Sequence, residues 1–237
     1  MQRERHMTET ILITGASRGI GLELTRQYAQ AGARVIAACR HPERAPELNR
    51  LAADTQGQVS VQPLDVTQPA QVAALAAVMQ GRALDILINN AGAFGPVAPF
   101  GETDEAAWIE TFRINTIAPL KLMEALADSV AASERRLMVN MTSKMGSIAD
   151  NRSGGLYVYR STKAALNAVV VSAAQDLRPR GITVVAQHPG WVRTDMGGPN
   201  GEISVQESAT ALRGIFGRLG PDDSGRFIDI DGGDIPW

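Results

Sequence analysis

The sequence predicts an α/β fold, a doubly wound parallel sheet of about seven strands with helices on both faces, in a single domain. Three observations carry this. Short β-branched and aliphatic runs alternate with Ala-rich helical stretches along nearly the whole chain. The strand candidates are continuous apolar runs rather than strict alternations, as expected of strands covered on both faces. Each connection is long enough for a helical crossover, which parallel strands require.

In chain order, strands are expected at Thr10–Thr14, Arg34–Ala38, Val59–Leu64, Leu84–Asn89, Arg136–Met141, Thr183–Gln187 and Arg226–Ile230. Helical segments fall near Ile20–Ala31, Pro69–Gln80, Glu105–Ala132 and Gly155–Arg178. Gly32 follows the first helix as a cap, and Gly181 follows Arg178-Pro179-Arg180 before the sixth strand. Gly190–Gly201, rich in Gly and Pro, reads as a loop or lid. No Pro/Ser linker or internal repeat divides the chain. Residues 10–237 are therefore read as one domain and 1–9 as a disordered extension, with Met7 an alternative start.

Composition removes several classes of function. The 237 residues are 44% hydrophobic, and a chain of this size buries about 70–75% of its unfolded surface without staples. A single cysteine, Cys39, excludes a disulfide scaffold. Lys plus Arg is 23 against 25 for Asp plus Glu, so no basic excess points to nucleic acid. No window approaches the roughly eighteen apolar residues of a membrane span, and the polar start MQRERHMTET has no signal-peptide core. A cytoplasmic protein is expected, where a lone thiol stays reduced. His6, His41 and His188 are scattered without metal-ligand spacing, so no metal is expected. Gly-Lys-Ser/Thr is missing, which argues against a P-loop NTPase.

The most informative segment is Thr14-Gly15-Ala16-Ser17-Arg18-Gly19-Ile20-Gly21, directly after the first strand and before a helix. Glycines there let backbone approach a pyrophosphate, and the helix N-terminus offers unpaired N–H groups and positive dipole. Tyr159 and Lys163 lie four apart, one above the other on a helix. A free phenol has a pKa near 10. A neighbouring ammonium is expected to lower it, which would make the phenol a proton donor and acceptor.

The Gly-x-x-x-Gly-x-Gly spacing resembles the short-chain dehydrogenase/reductase family. Three further segments match that family in order: Asn89-Asn90-Ala91-Gly92, Tyr159-Arg160-Ser161-Thr162-Lys163 and Pro189-Gly190-Trp191-Val192-Arg193-Thr194. Within it, His188–Met196 and the ending Ile235-Pro236-Trp237 look like the C-factor and sniffer-type carbonyl reductases. The resemblance implies a Rossmann-type fold and a catalytic set of Asn115, Ser143, Tyr159 and Lys163. Ser143 would hold the substrate oxygen, with Ser147 a rival because the stretch to Tyr159 is longer than the family usual. Asn115 would kink its helix and hold a water linking the lysine to solvent. Cofactor contacts are implied for Gly15, Ser17, Arg18, Gly19, Ile20 and Gly21 of the turn. Further contacts would come from Asp65 and Val66, from Asn89, Ala91 and Gly92, and from Tyr159 and Lys163. Thr194 and the backbone of Val192 would hold the carboxamide.

NAD-binding folds place an acidic residue about 20 positions beyond the glycine turn, on the ribose 2′-hydroxyl. Ala37-Ala38-Cys39-Arg40 has none. Arg40 and Arg18 instead suit a 2′-phosphate, so NADP(H) is the expected cofactor. The function read from the sequence is an NADP(H)-dependent reductase of ketones or aldehydes, reversible toward alcohol oxidation, acting on a small molecule. The alternative is a cofactor-binding signalling protein of C-factor type with little turnover. A homodimer or homotetramer is expected from the family habit of pairing the helices near Glu105–Ala132 and Gly155–Arg178.

Overall fold

The computed structural model describes residues 8–237. Most of the expected extension at 1–9, including Met7, lies outside the described residues. Seven strands form one sheet: β1 (Thr10–Thr14), β2 (Arg34–Cys39), β3 (Val59–Pro63), β4 (Ile86–Asn89), β5 (Leu137–Met141), β6 (Thr183–Gln187) and β7 (Phe227–Ile228). Their spatial order is β3-β2-β1-β4-β5-β6-β7, with every neighbouring pair parallel. The chain thus begins mid-sheet, winds outward through β2 and β3, then returns to β4 and winds the other way.

Both faces of the sheet are buried because successive side chains point to opposite sides and nearly all are apolar. Ile11 and Ile13 face one layer and Leu12 the other, each with no exposure. The first layer holds α1 (Gly19–Gln30), α2 (Pro46–Asp54) and α7 (Val205–Phe216), through Leu24, Tyr28, Leu48, Leu212 and Phe216. The second holds α3 (Pro69–Met79), α5 (Ala118–Ala131) and α6 (Tyr157–Leu177), through Leu75, Leu122, Leu126, Leu166 and Val170. Among the described residues no helix is long and apolar enough to cross a membrane.

Four departures from the expected elements have local causes. The helix expected over Glu105–Ala132 is interrupted: α4 (Glu105–Phe112) passes through a π-helical turn at Arg113–Ile117 into α5. Pro119, four residues beyond Asn115, has no N–H to offer the Asn115 carbonyl. The backbone widens there, and Ala118 N–H bonds to the Arg113 carbonyl, five residues back. At α6, Gly154, Gly155 and Leu156 all have positive φ, of 64°, 64° and 51°, so the helix begins at Tyr157 and not at Gly155. Helices α2 and α7 have no counterpart in the sequence reading. The α7 start carries a capping box: Ser204 Oγ accepts from Glu207 N–H at 3.1 Å, and the Glu207 carboxylate from Ser204 N–H at 2.7 Å.

Candidate active site

β1 and β4 are adjacent in space although three helices separate them in sequence. In an open parallel sheet such a reversal leaves a crevice at the strands' carboxyl ends. Two polar side chains lock this one. The Thr14 hydroxyl accepts from the N–H groups of Asn90 and Ala91, each at 3.0 Å. The Asn90 amide donates to the carbonyls of Thr14 at 2.9 Å and Gly15 at 3.3 Å. The glycine turn is thereby pressed against the strand opposite. A Cβ on Gly15, whose φ is +67°, would stand 2.9 Å from Ala91 Cα, and one on Gly21 would stand 2.4 Å from the Gly15 carbonyl oxygen. Arg18, preceding α1, provides no side-chain cap, so the helix's first N–H groups have no side-chain acceptor at the crevice. Ser17 and Ile20 are half-buried there.

The other expected cofactor residues border the same crevice in different ways. Arg40 stands exposed at the end of β2 and enters no ion pair among the described residues. Arg18 is exposed but engaged, its guanidinium donating to Asp195 at 2.6 Å. Asp65 Oδ1 accepts from the Thr67 N–H at 3.0 Å and hydroxyl at 2.7 Å, a local turn cap, with Val66 buried beside it. Asn89 ends β4 with its side chain turned inward. Its side chain is buried and donates to Asn140 Oδ1 at 2.9 Å and the Pro119 carbonyl at 3.3 Å, so it supports the strand ends from beneath. Ala91 is half-buried, and Gly92 is exposed above Asn115 and Lys163. A Cβ on Gly92 would lie 3.4 Å from Asn115 Oδ1 and 3.8 Å from Lys163 Nζ. Val192 is buried, and Thr194 Oγ1 accepts from Gly197 N–H at 3.0 Å.

Asn115, Ser143, Tyr159 and Lys163 are all buried and converge beside that opening. Lys163 Nζ donates to the Met141 carbonyl at 2.8 Å and sits 5.8 Å from the Tyr159 ring centre. Ser143, just past β5, is near enough to the Tyr159 phenol to pull its pKa down, and its Oγ accepts from the Met145 N–H at 3.2 Å. Ser147 points elsewhere, its hydroxyl donating to the Pro236 carbonyl at 2.5 Å. The Asn115 amide grips Ala93 from both sides, accepting from its N–H at 2.9 Å and donating to its carbonyl at 2.8 Å. It also donates to Thr162 Oγ1 at 3.0 Å.

Electrostatics differ from the expectation. Burial pushes the Tyr159 phenol up to about 12, with the Ser143 hydroxyl pulling the other way. The lowering expected from the lysine does not come from Lys163 alone, whose ammonium loses its proton before the phenol does. Burial pulls Lys163 itself down to about 8.

Sequence reasoning missed the side chains that hold this set together. Phe94 stacks on Tyr159, ring centres 4.6 Å apart at 30°. Thr142 donates to Asn167 Oδ1 at 2.8 Å, tying the end of β5 to α6. An aromatic residue two positions after Asn89-Asn90-Ala91-Gly92 and an Asn four beyond Lys163 were visible signals, but no pattern assigned them roles.

The model of the short chain dehydrogenase family matches residues 9–203. The chain belongs to the short-chain dehydrogenase family. It is 43% identical over 154 residues to C-signal of Myxococcus xanthus, covering 65% of this chain and 93% of that one. The solved carbonyl reductase Sniffer of D. melanogaster superposes with a TM-score of 0.92 at 32% identity, over 98% of this chain and all (100%) of the other. An NADPH-bound carbonyl reductase from chicken fatty liver gives 0.90 at 34% identity, over 97% and 99%.

The buried lysine makes a stability prediction for this short-chain dehydrogenase. Its folded pKa, about 8, lies below the ordinary 10.5. The unfolded chain therefore holds the proton more tightly, and the burial penalty is full below pH 8 and fades as pH rises toward 10.5. Lys163→Met should raise Tm at pH 7 by about 2–6 °C, with the gain shrinking at alkaline pH. A fall in Tm by calorimetry would mean that the bond to Met141 outweighs the burial cost.

Proposed function

We propose that the chain is a cytoplasmic NADP(H)-dependent reductase of ketones or aldehydes, reversible toward alcohol oxidation, with Tyr159 as proton donor. One observation carries this reading: a buried phenol with Ser143 beside it and a buried ammonium one helical turn away, next to a glycine-lined crevice. The crevice suits the cofactor through the backbone approach that Gly15 and Gly21 permit and through the uncommitted guanidinium of Arg40. The NADPH of the chicken reductase supports the same assignment.

Bound NADP(H) supplies the hydride and, when oxidised, a positive charge beside the phenol. The Ser143 hydroxyl donates to the substrate's carbonyl oxygen and holds it toward Tyr159, which gives up its proton as the oxygen gains charge. A phenol near 12 is fully protonated at neutral pH, the form that reduction needs. Lys163 stands next in line for the replacement proton. The Asn115 carbonyl, released from the α-helical ladder by Pro119, is the acceptor through which that lysine reaches solvent. Apolar Phe94, Val97, Phe100 and Tyr157 stand at this end of the fold, with Phe100 and Tyr157 6.0 Å apart.

The likeness to C-signal favours keeping a second reading, a cofactor-binding protein with little turnover. The convergent Ser143, Tyr159 and Lys163 favour the enzyme, since a sensor has no use for a proton donor. NADPH consumption with a panel of aldehydes, ketones and diketones separates the two, and no turnover on any of them would favour the second.

Tyr159→Phe keeps the ring stacked on Phe94 and removes only the proton. It should lower kcat by about 10²–10⁴-fold with cofactor affinity nearly unchanged. Ser143→Ala should also lower kcat strongly, whereas Ser147→Ala should stay near wild type; a reversed ranking would reassign the substrate hydrogen bond.

Arg40→Asp should move the kcat/KM preference at least about tenfold from NADPH toward NADH. A preference that does not move would remove Arg40 from the site.

A homodimer or homotetramer is proposed through the outer faces of α5 and α6, where Leu120, Met123, Val169 and Leu177 line a shallow apolar depression. A monomeric mass by light scattering at micromolar concentration would refute it.

A further inference from the structure

The loop after β6 is a self-bonded unit. Trp191 Nε1 donates to the Gly197 carbonyl at 2.8 Å, and Gly198 N–H to the Thr194 carbonyl at 2.8 Å. Arg193 donates to the carbonyls of Gly201 at 2.8 Å and Glu202 at 3.0 Å, and Val192 bridges to Ile203. Gly197 and Gly201 pack so closely that a Cβ would lie 2.0 Å from the Val192 carbonyl oxygen and 2.5 Å from Arg193 N. These bonds tie 191–203 into one locally self-supported unit. Two contacts join it to the glycine turn. Thr194 Cγ2 lies 3.5 Å from where a Gly19 Cβ would stand, and Asp195 pairs with Arg18 at 2.6 Å.

The Arg18–Asp195 pair creates a conflict. Arg18 is one of two guanidinium groups assigned to the 2′-phosphate, yet its charge is already met by a carboxylate. Arg40, the other, is uncommitted. A phosphate entering beside Arg18 must displace Asp195 or share the guanidinium with it, and two anions on one cation repel.

We propose that Asp195 is a specificity-determining residue for the cofactor: it competes with the 2′-phosphate for Arg18 and so couples NADP(H) binding to release of the 191–203 loop from the glycine turn. This rests on the NADP(H) reading above. NADH carries no 2′-phosphate and leaves the latch intact. The pair weakens NADP(H) binding and speeds its departure, because the carboxylate retakes Arg18 as the phosphate leaves. Both side chains are 75% exposed, so the effect is that of a surface ion pair.

The test is a double-mutant cycle of full-length protein: wild type, Asp195→Asn, Arg18→Gln and the double variant, each titrated with NADPH and with NADH at low ionic strength. Asp195→Asn should tighten NADPH by about two- to fivefold, slow its release in stopped flow, and leave NADH unchanged. In the Arg18→Gln background the same substitution should do nothing. Unchanged or weaker NADPH binding in Asp195→Asn, an equal effect on NADH, or an effect that survives Arg18→Gln would overturn the latch alone. A wild type without preference for NADPH, together with an Arg18→Gln variant that alters neither cofactor, would overturn the cofactor reading and the latch with it.

Discussion

The cross-tie between Thr14 and Asn90 is the constraint on which the site depends. Parallel strands covered on both faces leave only their carboxyl ends free for chemistry, and the winding reversal opens one gap there, between β1 and β4. Left to themselves, two loops at that gap would be independently mobile. One hydroxyl accepting two N–H groups and one amide donating to two carbonyls fix them against each other. The glycine turn then has a single shape, and glycine is required where its backbone meets Ala91 and its own helix.

Tyr159 and Lys163 are organised by burial. Removing water raises the phenol and lowers the ammonium, so the two groups, close in proton affinity in water, are driven apart, with the phenol the tighter holder of its proton. The cost of burying Lys163 is partly met by the Met141 carbonyl at the end of β5, the strand that also delivers Ser143. The π-turn contributes from the other side: Asn115 holds Ala93 by both backbone polar groups, and the next residue, Phe94, stacks on the phenol. A proline four residues downstream therefore helps to set the position of an aromatic ring in another loop.

Much of this was legible in the chain. Continuous apolar runs separated by Ala-rich helices specify a parallel sheet, and the strand centres fall where those runs do. The glycine turn and the Tyr159/Lys163 pair need only local geometry, one strand–helix turn and one helical turn. Helix α2 was missed because it is short and buries little besides Leu48. Helix α7 follows a Gly- and Pro-rich loop that masked its Ser204–Glu207 capping box. The inward turn of the Asn89 side chain was not legible, because a segment match says which residues end a strand, not which way each side chain turns.

The sequence by itself determined the strand–helix alternation, the family segments and the identity of the groups that meet at the crevice, because these follow from spacing along the chain. Only the tertiary structure decided how those groups are tuned and to what they are bonded. Burial, and not the neighbouring ammonium, governs the Tyr159 phenol. Ser143 rather than Ser147 faces it, and Arg18 is held by a carboxylate 177 residues away. Such facts depend on the dielectric around a group and on partners distant in sequence, and neither is written in a local pattern.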